Sequence, residues 1–232
     1  MQLISRNWQN AESGYRAIVI MLKELIKSTL RGLAILAISP LLISHWLSSS
    51  VTNPDRSLES HSQLLCLLPG ITGNYLRLAF YRFALEQCDP TATICFGTLL
   101  SKTGARLGKH VYIGPRCMLG LVTLEDDVLL GPAVQIPSGP MTHGIDKLDT
   151  PIRLQPGNKQ RITIGRDTWI GAQAIVLADI GHQVVLGAAS TVTKPIQANV
   201  IAAGVPTRVL HDRVQTDRKD EMHLSPNQSK VK

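Results

Sequence analysis

Aromatic side chains make up only 4% of the 232 residues, so the 44% hydrophobic share is almost wholly aliphatic. A core built nearly without rings points to something narrow and repetitive. Charged residues are also scarce, at 18% against about 25% in an ordinary globular chain. Together these shares exclude a fully disordered or fully fibrous chain. The net charge of +7 is too diffuse at this length to argue for nucleic acid, and is compatible with anionic lipid or a phosphorylated ligand. The four cysteines, Cys66, Cys88, Cys95 and Cys117, share no CxxC or metal-ligand spacing and form no disulfide framework. They read as reduced, buried thiols.

The uncharged run from Gly32 to Leu47 falls short of the ~20 apolar residues of a membrane span and is interrupted by Ser39, Pro40, Ser44 and His45. Upstream, Ile18, Met21, Leu22, Leu25, Ile26 and Leu30 recur at helical spacing, with Lys23, Lys27 and Arg31 on the other side. Residues 1–57 are therefore expected to be helical and membrane-associated, with Trp46 at headgroup level. The three basic residues put the N-terminus at the cytoplasmic face. A core helix pair and a cleaved signal are the competing readings.

Residues 58–90 read as a second helical unit, with Asn74 as a candidate cap. Tyr75, Arg77, Phe80, Tyr81, Arg82 and Phe83 crowd there, with Phe96 just beyond. Such a helix suits either a membrane surface or the end of a solenoid.

Residues 91–210 carry a period of six. Leu107-Gly108 and Ile113-Gly114 begin it, and Leu124, Leu130 and Ile136 continue it. It resumes at Ile164-Gly165, Ile170-Gly171 and Val176, then at Ile180-Gly181, Leu186-Gly187 and Val192. Small or aliphatic residues stand four places after most of these: Val111, Cys117, Val128, Val134, Thr168, Ala174, Val184, Ser190 and Ile196. Neither a helix nor one long strand has this period. It predicts short strands joined by sharp corners, with the aliphatic residue inside a narrow prism. The small residue after it is expected to make the tight turn. Residues 211–232 lose the period and read as a polar, disordered tail.

The stretch IGRDTWIGAQAIVL, followed by VVLGAASTVTKPIQANVIAAGVPTRVL, resembles the hexapeptide-repeat acyltransferases over roughly residues 65–210. The resemblance implies an all-β, left-handed parallel β-helix, an exception to the right-handed crossover rule. It also implies a homotrimer and acetyl-CoA or another acyl-CoA as co-substrate. PGITGNYLR, with the hydrophobic N-terminus, is similar to membrane-associated members that modify bacterial surface polysaccharides or small glycosides. One departure stands out: Val176 and Ile180 are four apart, two short of the repeat.

The repeat is interrupted from Pro137 to Arg161 by a segment with four Pro and three Gly. Long loops in compact domains are usually functional or disordered. In the resembled family such a loop carries the histidine that acts as general base, which here is His143, while some members place it at the position of Met141. Imidazole suits the task because it takes and returns a proton near neutral pH. Asp146 and Asp149 are candidate orienters of the ring, and equally read as solvated loop charges. For the CoA phosphates the resemblance points to Lys194, beside Thr193, and to Arg208. Gly171, Ala172, Gly187 and Ala188 leave room for a pantetheine arm, although hexads require small residues in any case. Trp169 should point outward by strand alternation, toward ligand or subunit.

The expected function is acyl transfer from acyl-CoA to a hydroxyl of a sugar, glycan or surface-polysaccharide precursor, with no metal. An inactive scaffold is the alternative. A zinc carbonic anhydrase would need three convergent histidines, and His110, His143 and His182 are widely spread.

Overall fold

The computed structural model describes the backbone of residues 2–213 and the side chains of residues 19, 21–22 and 25–213. Three helices precede a prism of short parallel strands. Helix α1 spans Gln2–Val51, α2 Pro54–Cys66 and α3 Gly70–Ala84. The expected disordered tail lies outside the described residues from position 214 onward.

The prism has three faces, each a ladder of parallel strands two to four residues long. The inward residues of the first face are Cys88, Leu107, Leu124, Ile164, Ile180 and Ile196, joined rung to rung by strand pairs or single bridges. The second stacks Ile94, Ile113, Leu130, Ile170, Leu186 and Ala202. The third stacks Leu100, Leu119, Ile136, Val176 and Val192, all at most 2% exposed. The six-residue period thus runs upstream to Cys88, before residue 91. It was hidden there because Cys95 and Ser101 stand where later coils carry glycine.

The turn itself is made differently from the sequence expectation. The glycines after the inward residues do not have positive φ. Nine non-glycine residues two places further on do: His110, Arg116, Asp127, Ala133, Asp167, Gln173, Gln183, Ala189 and Asn199 lie at φ between 52° and 61°. The glycines serve close approach. A Cβ on Gly131 would sit 2.7 Å from the amide nitrogen of Ala172 in the next coil, and one on Gly114 2.7 Å from the Leu130 carbonyl oxygen. Coil-to-coil stacking excludes a side chain there.

The four-residue step from Val176 to Ile180 closes as a regular corner, with Ile180 bridged between Ile164 and Ile196. It recurs between Val192 and Ile196. Every departure from six falls on this corner, between the third face and the first: Leu100 to Leu107, Leu119 to Leu124, Ile136 to Ile164, and the two short steps.

A solenoid end exposes unpaired backbone groups, which must be covered. Here α2 and α3 do so. Ser62 Oγ accepts the Leu100 N–H at 2.9 Å, and the Cys66 carbonyl accepts the Gly97 N–H at 3.0 Å. Asp55, in the first turn of α2, accepts the Thr103 N–H at 2.9 Å and pairs with Lys102 at 3.0 Å. Arg77 is wholly buried and donates to the carbonyls of Ile94, Leu65 and Leu68 and to Asn74 Oδ1. Asn74 is therefore not a helix cap; α3 begins four residues earlier, behind Pro69. The cap begins at Pro54, inside the segment expected to be the membrane arm, because Asp55 must reach the first coil. At the other end, Val200–Ala203 pairs antiparallel with Arg208–Asp212, carrying ordered strand two residues past position 210.

Helix α1 passes through Pro40 without ending. Pro40 has no N–H for the Leu36 carbonyl, and the Ser39 hydroxyl donates to that carbonyl instead, at 2.8 Å. The polar residues that interrupt the apolar run form its contact with α2. His45 is buried, its Nδ1 2.9 Å from Ser57 Oγ, and Ser44 meets His61. Ala34, Ile38 and Leu42 are buried on the same stripe. Met21, Leu22, Leu25, Ile26, Leu30, Leu33, Leu36, Ile43 and Leu47 are exposed. All four cysteines are free; Cys117 is buried, and the other three are half-buried.

Candidate active site

The Pro137–Arg161 loop leaves the prism at the variable corner and is ordered by its own hydrogen bonds. Ser138 Oγ accepts the Leu121 N–H at 2.9 Å, and Ser138 O accepts the Gln160 N–H at 2.9 Å. One level further out, Met141 O accepts the Asn158 N–H at 2.7 Å. At the tip Gln155, 7% exposed, clamps the chain: its Nε2 donates to the carbonyls of Lys147 and Thr150, each at 2.7 Å, and its Oε1 accepts the Lys147 N–H. At the exit, Arg161 donates to the Gly104 carbonyl at 2.6 Å and to Glu86 at 3.0 Å. Glu86 also pairs with Arg106.

Between the loop base and the third face lies a groove of about 300 Å³. Outward-facing Met118, Gln135 and Ile175 line it from the face, Thr142 and Lys159 from the loop, and Glu59 from α2. His143 follows Thr142 directly and is exposed, with no hydrogen bond or ion pair to it among the described residues. Asp146 and Asp149 are exposed on the same loop, and neither bonds the imidazole; Asp149 instead accepts from the Thr150 hydroxyl.

The expected cofactor residues divide between two edges. Gly171, Ala172, Gly187 and Ala188 stack on the edge between the second and third faces, where the Ala189 N–H donates to the Ala172 carbonyl at 2.8 Å. Trp169 projects from the neighbouring second face, 54% exposed, between Leu129 and Val185. Thr193 and Lys194 are exposed at the variable corner, the edge from which the loop departs two coils earlier. Arg208 lies on the terminal hairpin opposite Ala203.

Neither Cys88 nor Cys117 offers a nucleophile. Burial pushes Cys117 up to about 11 and Cys88 up to about 12, so both stay protonated near neutrality. His110 and His182 sit on the first-to-second edge, with His110 Nδ1 3.1 Å from Asp127, and His143 leaves from another edge. Among the described residues no group of His, Cys, Asp and Glu could hold a metal ion.

Thr142, Lys159, Gln135, Gln155 and Arg161 were not singled out from sequence. The prism's third face places Gln135 and the loop's closure places the others, and no local spacing announces that closure.

Short parallel strands on a six-residue period, with glycines admitting the next coil, define a hexapeptide-repeat β-helix. No model of a known protein family matches the chain. The chain is 30% identical over 137 residues to the putative colanic acid biosynthesis acetyltransferase WcaF of Escherichia coli K12, covering 51% of this chain and 75% of that protein. It is 37% identical over 101 residues to the galactoside O-acetyltransferase of the same strain, covering 42% of this chain and 47% of that protein. A maltose O-acetyltransferase structure from Clostridium difficile 630 superposes with a TM-score of 0.59 at 21% identity, covering 72% of this chain and 91% of the other. The chain belongs to the hexapeptide-repeat acetyltransferases, and its prism is their left-handed parallel β-helix. It spans about half the length of the galactoside relatives it matches, 47% and 59%.

Proposed function

We propose that the chain is an acyl-CoA-dependent O-acetyltransferase whose acceptor is a hydroxyl of a sugar or glycan, with His143 as general base. The observation that carries this reading is the groove between Met118, Gln135 and Ile175 on one side and Thr142 and Lys159 on the other, with His143 next in the chain. The relatives named galactoside O-acetyltransferase favour a sugar hydroxyl.

In this reaction the imidazole takes the acceptor's hydroxyl proton as its oxygen attacks the thioester carbonyl. The tetrahedral oxyanion collapses, the carbon–sulfur bond breaks, and the CoA thiolate leaves and recovers the proton from the imidazolium. Lys194 and Arg208 meet CoA phosphates, and the small-residue edge at Ala172 and Ala188 takes the pantetheine arm.

The active unit is a homotrimer with its sites between subunits. Two features support this. Tyr112, Leu129, Trp169 and Val185 form an outward apolar row on the second face. Among the described residues His143 has no orienting partner, which a neighbouring subunit would supply.

Helix α1 attaches this unit to the cytoplasmic face of the inner membrane. Leu25–Val51 is long and apolar enough to cross a membrane by length and composition, with mean hydropathy 1.5 and 17% of that window buried. Because Ala34, Ile38, Leu42 and His45 are engaged by the cap, the helix lies along the interface with its exposed apolar side in lipid.

The test is to incubate the purified full chain with acetyl-CoA and a panel of galactosides and other glycans, measuring thiol release and product mass. Acetylated product is expected. Neither transfer nor CoA binding would leave the scaffold reading in its place.

A further inference from the structure

Two grooves on the helical cap meet. One, of about 240 Å³, is apolar and runs between Leu30, Leu33 and Ala37 of α1 and Ile71 and Leu76 of α3. The other, of about 260 Å³, is mixed, with Lys27, Arg31, Asn74 and Thr91 lining it beside Leu78 and Ala92. Ile71 and Tyr75 line both, so the apolar channel opens into the basic pocket. Among the described residues, no Asp or Glu lines either groove. Among the described residues the buried Nε of Arg31 has no hydrogen-bond partner, a costly arrangement for a cation unless an anion meets it. Asn74 adds donors. A guanidinium can only donate, so the oxygen of Asn74 must face Arg77 Nη2, 2.6 Å away, which leaves its N–H groups free of that contact.

We propose that this paired groove binds one anionic membrane phospholipid, its phosphate at Arg31, Lys27 and Asn74 and an acyl chain between α1 and α3. The proposal rests on the reading of α1 as membrane-attached. Charge complementarity selects the headgroup end, and the apolar channel excludes a small hydrophilic anion as the full occupant. The channel continues into the exposed apolar side of α1 at Leu30 and Leu33, so a chain seated there stays in the lipid phase. The basic pocket includes Thr91, Ala92 and Thr93 of the first coil. A bound headgroup would therefore touch the first coil as well as the helical cap.

The test uses the full chain with two kinds of vesicle: phosphatidylcholine alone, and equal parts phosphatidylcholine and phosphatidylglycerol. Flotation measures attachment, and native mass spectrometry from nanodiscs of the mixed composition counts retained lipid. The expected result is one retained phosphatidylglycerol, falling about fivefold in Arg31→Gln, the loss equivalent to one basic contact at a lipid surface. Asn74→Asp keeps the acceptor for Arg77 while opposing the phosphate, and should fall as far. Arg166→Gln, on an exposed corner of the prism, should change nothing. Equal retention of phosphatidylcholine, or full retention by both cap variants, overturns the lipid site while flotation still supports the membrane anchor. Displacement by glycerol phosphate alone assigns the pocket to a soluble anion and also overturns it. Failure to float on either vesicle removes the anchor and the lipid site together.

Discussion

The carbonyl of Met141 accepts the amide hydrogen of Asn158 at 2.7 Å, tying the two legs of the loop together two residues before His143. Position 141 therefore belongs to the pinned stem, and the backbone at position 143 still lies against the returning leg, where a Cβ on Gly157 would come within 2.7 Å of the His143 nitrogen. A general base at His143 predicts a loss of about 10²–10⁴-fold in kcat for His143→Ala, with KM for acetyl-CoA unchanged. Lys194→Ala should instead raise that KM and leave kcat largely intact, since a phosphate contact is made equally in ground and transition states. His110→Ala and His182→Ala should leave both constants alone. Steady-state kinetics over the four variants checks the pattern, and full turnover in His143→Ala removes the base assignment.

Gln155 holds the loop tip through three hydrogen bonds to backbone. Gln155→Ala should free Lys147 and Arg153 for tryptic cleavage and lower kcat. The prism's melting temperature should barely move, because no rung is touched. Digestion time courses and thermal melts together check this; a large fall in melting temperature would mean that the loop supports the coil.

Gly131 and Ala133 stand two residues apart with opposite requirements. Gly131→Ala should cost about 1–3 kcal/mol, as overpacking against the Ala172 backbone does. Ala133→Gly, at a φ of 58°, should be neutral or stabilising by up to ~1 kcal/mol, since it relieves a left-handed residue. Urea unfolding of the two variants checks the contrast; a reversal of sign would restore glycine as the turn residue.

Asp55 is shifted below the ordinary carboxylate range. Burial alone raises its pKa, but the Thr103 N–H and Lys102 outweigh burial. A depressed folded pKa contributes stability that is present above the unfolded value, about 3.9, and is lost as pH falls through the folded value. Asp55→Asn should therefore lower stability at pH 7 and flatten its decline on acidification. Melting temperature against pH for both chains checks the sign.

The prism was legible because each aliphatic position recurs at a fixed interval and is buried in the same way. Its turn chemistry was not. The left-handed residues are His, Arg, Asp, Ala, Gln and Asn, and only the stacking of neighbouring coils holds them there. The cap was half legible: aromatic and basic crowding marked a solenoid end or a membrane surface, but a buried arginine serving the Ile94 carbonyl has no local signature. Of the candidate site, His143 stood out as a histidine in a break of pattern. Gln155 and Arg161 did not, because their partners lie across the loop or across the first coil.

Because the steps along two edges of the prism are fixed at six, all tolerance for added or deleted residues is concentrated on the third. Insertions between Val192 and Ile196, or between Leu100 and Leu107, leave every rung above and below in register. The same insertion between Ile170 and Val176 would turn inward-facing residues outward. A lineage built on this chain can thus lengthen, shorten or exchange the Pro137–Arg161 loop without renegotiating the scaffold. Differences in length between this chain and its relatives should fall along a single edge.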